Sequence, residues 1–150
     1  VNYEAIVAPS NSIGIMDGGL DLAIVEKYGP LVQRQVNYKI ERLLYKEVLV
    51  GQSIPIIIEK AVILLTPTMR APEALPKDSV NAYLAMRAAL IEARYLGVKS
   101  VAVSGLCTGI GQMSCDQSAR QMFSAFVDFV FENRKKTVSE FTDQHYRLTT

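Results

Sequence analysis

The stretch Asn11-Ser12-Ile13-Gly14-Ile15-Met16-Asp17-Gly18-Gly19-Leu20-Asp21 follows a short apolar run, Tyr3 to Ala8, and leads into a segment with a helical start. A strand, a loop with little side-chain bulk and a helix N-terminus together direct backbone N–H groups and a positive dipole end to one point. Proteins hold phosphate groups in this way. The stretch therefore predicts a strand–loop–helix unit that can bind an anion.

A second glycine-rich loop, Cys107-Thr108-Gly109-Ile110-Gly111-Gln112, occurs almost a hundred residues later in the same setting. It follows the apolar run Ser100 to Val103, and it precedes a helix that Ser114 or Asp116 can cap. Two such loops can grip a diphosphate from two sides. For either loop taken alone, the alternative remains that its glycines only permit turns with positive φ.

The segments between the loops alternate between helix and strand patterns. We expect one helix that stops at Gly29-Pro30 and a second over about Leu31 to Glu47. Strands are expected at Ile54 to Ile58 and Ala61 to Leu65, followed by a proline-rich loop from Thr66 to Pro72. A third helix is expected from a cap at Asp78 or Ser79 to Leu96. The strands are too apolar to leave one face in water, so they predict an α/β fold whose mixed or parallel sheet is covered on both sides.

Ligands of such folds sit beyond the carboxyl ends of the strands. Both glycine loops and the Thr66 to Pro72 loop follow strands, so we expect all three to meet at one edge of the sheet. Residues 135–150 are polar and mostly aperiodic, and they are interpreted as a tail that is either flexible or folded over that edge.

Composition narrows the function classes. The chain has 150 residues, a hydrophobic content of 49% and a formal charge of +1, with scattered Lys and Arg, so nucleic acid is not expected as a main ligand. The longest apolar stretch, Ile54 to Leu65, is interrupted by Pro55, Glu59 and Lys60, and no leader pattern opens the chain, so we expect a cytoplasmic protein without a membrane contact. Two cysteines and one histidine predict neither a disulfide framework nor a metal site, and no cofactor is expected.

The first loop resembles that of the macro domain, the α/β module that binds ADP-ribose. In this family the first loop typically has the order Asn-Ala-Ala-Asn, a few small or apolar residues, a glycine run, Val and Asp, followed by a helix that starts with small apolar residues. Here the order from Ala8-Pro9-Ser10-Asn11 through Gly18-Gly19-Leu20-Asp21 to Ile24 is the same, without a gap. The second loop is similar to the family's Ser-Thr-Gly-Ile, aromatic, Gly pattern. Its Thr108-Gly-x-Gly-x-Met form is similar to bacterial and phage relatives.

The resemblance implies a three-layer α-β-α macro-domain-like fold with a mixed central sheet. It further implies one domain over residues 1–150, with the alternative that N-terminal strands are lacking. Two family residues differ: Ala8 replaces the first Asn, and Gly111 stands where an aromatic residue usually covers the distal ribose.

The resemblance also implies roles for individual residues. Asn11 would contact the distal ribose, and Asp21 would orient or activate water as in the family's hydrolytic branches, unless it is only a carboxylate at a helix start. The diphosphate would lie between two sets of backbone groups. These are Gly18, Gly19 and Leu20 on one side, and Cys107, Thr108, Gly109, Ile110, Gly111 and Gln112 on the other.

Three functions remain open. The chain either hydrolyses ADP-ribose from modified substrates, or binds free or protein-attached ADP-ribose without catalysis, or keeps the fold as a structural or regulatory protein that has lost the nucleotide. Cys107 allows a nucleophile hypothesis because it lies near a helix start, but a buried, inert thiol fits better, since the one histidine, His145, lies in the tail.

Overall fold

The computed structural model describes residues 2–132 and 134–150. Four strands and five helices occur in these residues, in the order β1 (Ala5–Asn11), α1 (Gly19–Tyr28), α2 (Leu31–Glu41), β2 (Ile54–Ile58), β3 (Ala61–Met69), α3 (Asn81–Leu96), β4 (Val101–Ala102), α4 (Cys115–Val130) and α5 (Val138–Thr149). Among them, none of the helices is long and apolar enough to cross a membrane.

The four strands form one mixed sheet in the order β2-β3-β1-β4. Strand β1 is parallel to both of its neighbours, β3 and β4, while β2 is antiparallel to β3. The carboxyl ends of β1, β3 and β4 therefore point to the same edge of the sheet, which we call the carboxyl edge.

Helices cover both faces of the sheet. Because side chains alternate along a strand, Ala8, Ile63 and Leu65 face the core formed with α1 and α2, which contribute Ile24, Val32, Val36 and Ile40. On the other face, Ala5, Val7 and Leu64 pack against the small residues Ala82, Ala85, Ala89 and Ala93 of α3. The predicted three-layer α-β-α fold with a mixed sheet is confirmed.

Several element ends differ from the sequence prediction. Helix α2 stops at Glu41 instead of Glu47. The N–H groups of Arg42 and Leu43 bond carbonyls only three residues back, and Val48 then donates a backbone hydrogen bond to the carbonyl of Ser12 at 2.8 Å, which brings the chain back to the first loop. Strand β4 covers only Val101–Ala102 of the predicted four residues. The N-cap position of α3 is Val80, one residue after the predicted cap, but the hydroxyl of Ser79 still accepts from the N–H of Asn81, the first residue of the helix, at 3.2 Å.

Strand β3 runs through Pro67 to Met69, into the region predicted as a loop. Pairing with β2 ends at Leu65, which is opposite Ile54. The missing N–H of Pro67 therefore costs no ladder hydrogen bond with β2, and pairing with β1 continues there with a register shift at Ser10/Asn11.

The predicted irregular tail is wrong, because it contains helix α5, Val138–Thr149. Thr137 caps this helix by accepting a hydrogen bond from the N–H of Glu140, whose carboxylate accepts from the N–H of Thr137 in return. Its last turn is joined to α4, since Gln121 donates from Nε2 to the carbonyl of Leu148 at 3.0 Å. Neither of the open alternatives, a flexible tail or one folded over the edge, included a packed helix.

Candidate ligand site at the carboxyl edge

The predicted meeting of three segments at one edge is seen in direct contacts. The N–H of Ser12 in the first loop donates to the carbonyl of Arg70, just after β3, at 3.2 Å. From the second loop, the Cys107 thiol lies 4.0 Å from the carbonyl of Thr68 near the end of β3. The end of strand β3 thus contacts both glycine loops.

Side chains hold the first loop in shape. Asn11 donates from Nδ2 to the carbonyl of Ile15 at 3.1 Å, and its Oδ1 accepts from the N–H of the same residue at 3.2 Å. Gln33 of α2 adds a donor to the carbonyl of Gly14 at 2.8 Å and an acceptor for the N–H of Met16 at 2.9 Å. Asn11 still keeps one amide hydrogen and one oxygen lone pair for a ligand.

The glycines of the first loop serve different purposes. Gly14 has φ 72°, and a Cβ there would lie 2.5 Å from Val36 Cγ1 and 2.6 Å from Ile40 Cδ1, so the fold itself requires glycine. Gly19 has φ 58°. Gly18 is extended, with φ −155° and ψ 159°, and no atom lies within 4 Å of its missing Cβ, so nothing in the fold demands glycine at this position.

Helix α1 starts directly after these glycines and has no side-chain cap at its N-cap residue, Gly18. The first N–H groups of a helix lack intrahelical partners, so those of Gly19 and Leu20 remain available to an anion together with the positive dipole end. Helix α4 differs, because Ser114 caps it by accepting from the N–H of Gln117 at 3.1 Å, which confirms one of its two predicted caps.

Asp21 lies in the first turn of α1 and is only 6% exposed. Burial, and secondarily the nearby charge of Asp17, raises the pKa of Asp21 from 3.8 to about 7. One of its carboxyl oxygens has no hydrogen-bond partner, and the hydroxyl of Ser10 at the end of β1 has none either. Buried polar atoms without partners are rare in proteins, and these two among the described residues both belong to the β1–loop–α1 segment.

Backbone groups hold the second loop. The carbonyl of Cys107 accepts from the N–H of Met113 at 2.9 Å, and the carbonyl of Gly109 accepts from Gln112 at 3.0 Å. The carbonyl of Gly111 accepts from the N–H of Leu75, in the segment before α3, at 2.9 Å. The loop is therefore fixed from within and from the neighbouring segment.

Positive φ values in the second loop do not fall on its glycines. They belong to Cys107, with φ 66°, and Gln112, with φ 55°. Gly111 is required by close approach, because its Cβ would lie 2.7 Å from the carbonyl oxygen of Cys107, whereas no atom lies within 4 Å of the missing Cβ of Gly109. The alternative that the glycines of this loop only permit positive φ is therefore wrong.

Cys107 does not have the properties of a nucleophile. The thiol is buried, and burial raises the pKa of Cys107 to about 12, so the thiolate is scarce at neutral pH. His145 is an exposed residue of α5. The interpretation of Cys107 as an inert, buried thiol fits this geometry.

Sequence reasoning missed two residues that hold the loops, Gln33 and Leu75. Gln33 carried a signal, because it is a polar residue next to the apolar stripe of α2 and only one turn from its start. Leu75 acts through its backbone N–H, which no side-chain pattern reveals.

Taken together, the fold and this edge define an α/β module whose parallel strands end in two glycine loops beside a helix N-terminus. Residues 7–122 match the family model of the Macro domain. The chain belongs to the macro domain family.

The chain is similar to several known proteins. An uncharacterized protein of Aeropyrum pernix is 32% identical over 122 residues, which cover 81% of this chain and 62% of that protein. The macrodomain of Mycobacterium tuberculosis DarG superposes with a TM-score of 0.72 at 24% identity, covering 84% of this chain and 82% of that one. The Oceanobacillus iheyensis macrodomain, solved with ADP, superposes with a TM-score of 0.75 at 19% identity, covering 87% of this chain and 71% of that one. A variant of that macrodomain was solved with ADPR.

Proposed function

We propose that this macro domain binds ADP-ribose or a derivative of it, with the diphosphate held between the two glycine loops. The observation that carries the proposal is the pair Gly18 and Gly109. Neither has a neighbour within 4 Å of its missing Cβ, and neither has a positive φ, so neither sterics nor backbone conformation requires glycine there, although glycine also suits the N-cap position that Gly18 occupies. Close approach of a ligand to the backbone explains a glycine at both positions.

Family membership supports the choice of ligand, together with the macrodomain structures solved with ADP and ADPR. The N–H groups at the uncapped start of α1 would hold the diphosphate from one side, and residues 107–112 would hold it from the other. The free amide hydrogen and lone pair of Asn11 suit a ribose hydroxyl.

Titration calorimetry with ADP-ribose tests the binding proposal. A valine side chain at Gly18 suits the extended backbone there but occupies the space left for the ligand, so Gly18→Val is expected to weaken binding at least about tenfold, or 1.4 kcal/mol. Ile15→Val, at an exposed position of the same loop, is the control and should stay within about twofold, or 0.4 kcal/mol. If ADP-ribose gives neither heat nor a thermal shift at millimolar concentration, the proposal is wrong.

We further propose that the site hydrolyses ADP-ribose from modified protein or from O-acetyl-ADP-ribose, with Asp21 as the general base that activates water. A carboxylate whose pKa lies near 7 is matched to this task at neutral pH. Its partner-free oxygen is available to a water molecule. The partner of the domain would then be an ADP-ribosylated protein.

Release of ADP-ribose from both substrates tests the hydrolysis proposal. Asp21→Ala is expected to lower the rate at least about a hundredfold, while Asp17→Asn, at the exposed neighbouring carboxylate, retains activity. The wild-type rate should increase as the pH rises through about 7, because the base must be ionised. Binding without turnover on either substrate would instead identify a non-catalytic ADP-ribose module.

A further inference from the structure

A cleft of about 840 Å³ lies between α3, the C-terminal end of α4 and the start of α5. Its α3 wall includes Tyr83, Arg87, Ile91 and Arg94, whose spacing of three or four residues places them on one face of the helix. Its volume is in the range of small-molecule sites, which is roughly 300 to 1,000 Å³. No residue of either glycine loop lines this cleft, and neither does Asp21, so it is separate from the carboxyl edge.

Cations outnumber carboxylates around the cleft. The lining contains five cationic side chains and two carboxylates, namely Arg87, Arg94, Arg134, Lys135 and Lys136 with Asp128 and Glu132. Arg134 is paired with Glu140 at 2.8 Å, and Lys136 with Asp128 at 3.1 Å. Within residues 2–132 and 134–150, no carboxylate lies within 4.0 Å of the charged groups of Arg87, Arg94 or Lys135. The cleft therefore favours an anion.

Aromatic and apolar surface accompanies this charge. The guanidinium carbon of Arg94 lies 4.0 Å from the ring centroid of Phe129, a stack that leaves the N–H edges of the guanidinium free for an anion. Tyr95, Val138 and Phe141 also line the cleft, and each is more than 60% exposed. A ligand with a flat apolar part would cover this surface.

One residue that lines the cleft, Asp128, is a fixed hydrogen-bond acceptor. Asp128 accepts hydrogen bonds from the hydroxyl of Tyr83 at 2.6 Å and from Nε2 of Gln144 at 2.7 Å, in addition to its ion pair with Lys136. Although burial opposes it, these bonds hold the pKa of Asp128 below its ordinary value, so the group is ionised at neutral pH. It can accept from an amino or hydroxyl group of a ligand.

We propose that this cleft is a second ligand site, which binds a small phosphate ester with an aromatic ring, of the nucleoside monophosphate class. Arg87 and Arg94 lie seven residues apart on α3, roughly 10 Å along the helix axis, so their long side chains can converge on one phosphate. The ring packs against Tyr95 and Phe141, while an amino or hydroxyl group donates to Asp128.

Backbone amide chemical shifts of the 150-residue protein test the proposal, with adenosine 5′-monophosphate, adenosine and inorganic phosphate titrated separately. The nucleotide is expected to shift the amides of Arg87, Ile91 and Phe129 in a saturable way. Adenosine and phosphate should each bind there at least about tenfold more weakly, because each lacks one half of the contacts. Amides of Gly18 and Gly111 report the carboxyl edge independently.

The double variant Arg87→Gln/Arg94→Gln, at two exposed positions, should weaken the cleft response by about tenfold per arginine. Arg34→Gln/Arg120→Gln removes the same charge at two exposed positions outside the cleft and should leave the response unchanged. Shifts confined to the glycine loops, equal binding of adenosine and the nucleotide, or equal loss in both double variants would each overturn the proposal without affecting ADP-ribose binding at the edge.

Discussion

Both glycine loops lie at the same edge of the sheet and make backbone hydrogen bonds there, but amide side chains reinforce only the first. In the first loop, the amide side chains of Asn11 and Gln33 bond the backbone, and the loop leads to a buried carboxylate, Asp21. In the second loop, backbone carbonyls of Cys107 and Gly111 accept the holding bonds. The first loop thus presents polar side chains that can take part in chemistry, whereas the second presents a backbone cradle. Substitutions at paired positions in the two loops test this contrast.

The largest difference is expected at Asp21, because the acidic residue in the first turn after the second loop, Asp116, is exposed instead of buried. A rise of its pKa from 3.8 to about 7 means that the folded state binds more protons than the unfolded chain between these values, so stability falls as the pH rises through this window. The shift corresponds to roughly 4 kcal/mol. Asp21→Asn is therefore expected to raise the free energy of unfolding by up to about 4 kcal/mol at pH 8 and hardly at all at pH 3.

Urea denaturation at the two pH values measures this effect. Asp17→Asn serves as the control, because its side chain is exposed and acts on Asp21 only through charge, so its gain at pH 8 should be much smaller. A destabilised Asp21→Asn protein at pH 8 would show that the carboxylate has a stabilising partner when folded.

A smaller effect is expected in the second loop, at its two glycines. Gly111→Ala places a Cβ 2.7 Å from the carbonyl oxygen of Cys107, which also accepts the bond from Met113, so the loop must shift. We expect a loss of about 2 kcal/mol in unfolding free energy. Gly109→Ala, which meets no atom within 4 Å, should stay within about 0.5 kcal/mol while weakening ADP-ribose binding. Equal stability losses at the two glycines would contradict the division into one structural and one ligand-facing position.

The smallest difference in stability is expected between substitutions of a polar side chain in each loop, Asn11 and Thr108. Asn11→Ala removes two bonds to Ile15 and is expected to cost about 1 kcal/mol. Thr108→Ala removes one exposed bond, from its hydroxyl to the carbonyl of Gly105 at 3.1 Å, and should cost about 0.5 kcal/mol or less. Both are measured by urea denaturation, and a reversed order would mean that side chains, not the backbone, hold the second loop.

The sequence predicted helix ends that depend on local geometry better than ends that depend on remote contacts. Gly29 and Gly97 stop α1 and α3 as expected, because a glycine with positive φ ends a helix through local geometry alone. The predicted end of α2, Glu47, lies six residues beyond the observed end, Glu41, because Leu43 and Leu44 extend the apolar pattern in the sequence. In the structure Leu44 does not join the core, since it is 85% exposed. The turn there depends on the contact between Val48 and Ser12, which is remote in sequence.

The site, too, could be predicted where local patterns determine it and not where remote contacts do. Loop positions, the parallel strand ends and the helix start could be deduced from glycine patterns and apolar runs. The unpartnered oxygen of Asp21, the close approach at Gly111 and the clamp from Gln33 depend on tertiary packing, which one sequence does not encode in a local pattern. Helix α5 did have sequence signals that the prediction of an aperiodic tail overlooked: Thr137 and Glu140 form a capping box, and Val138, Phe141 and Leu148 lie at helical spacing.

The two cysteines differ in exposure, and this difference gives the protein a natural site for attaching a label. Cys107 is buried with a pKa of about 12, whereas Cys115 is exposed at the first residue of α4, three residues after the second loop ends. Thiol-reactive dyes are therefore expected to react with Cys115 in the native protein and to leave Cys107 unmodified. A fluorophore attached there needs no engineered cysteine, and it would report, by a change in emission, whenever a ligand enters beside the second loop.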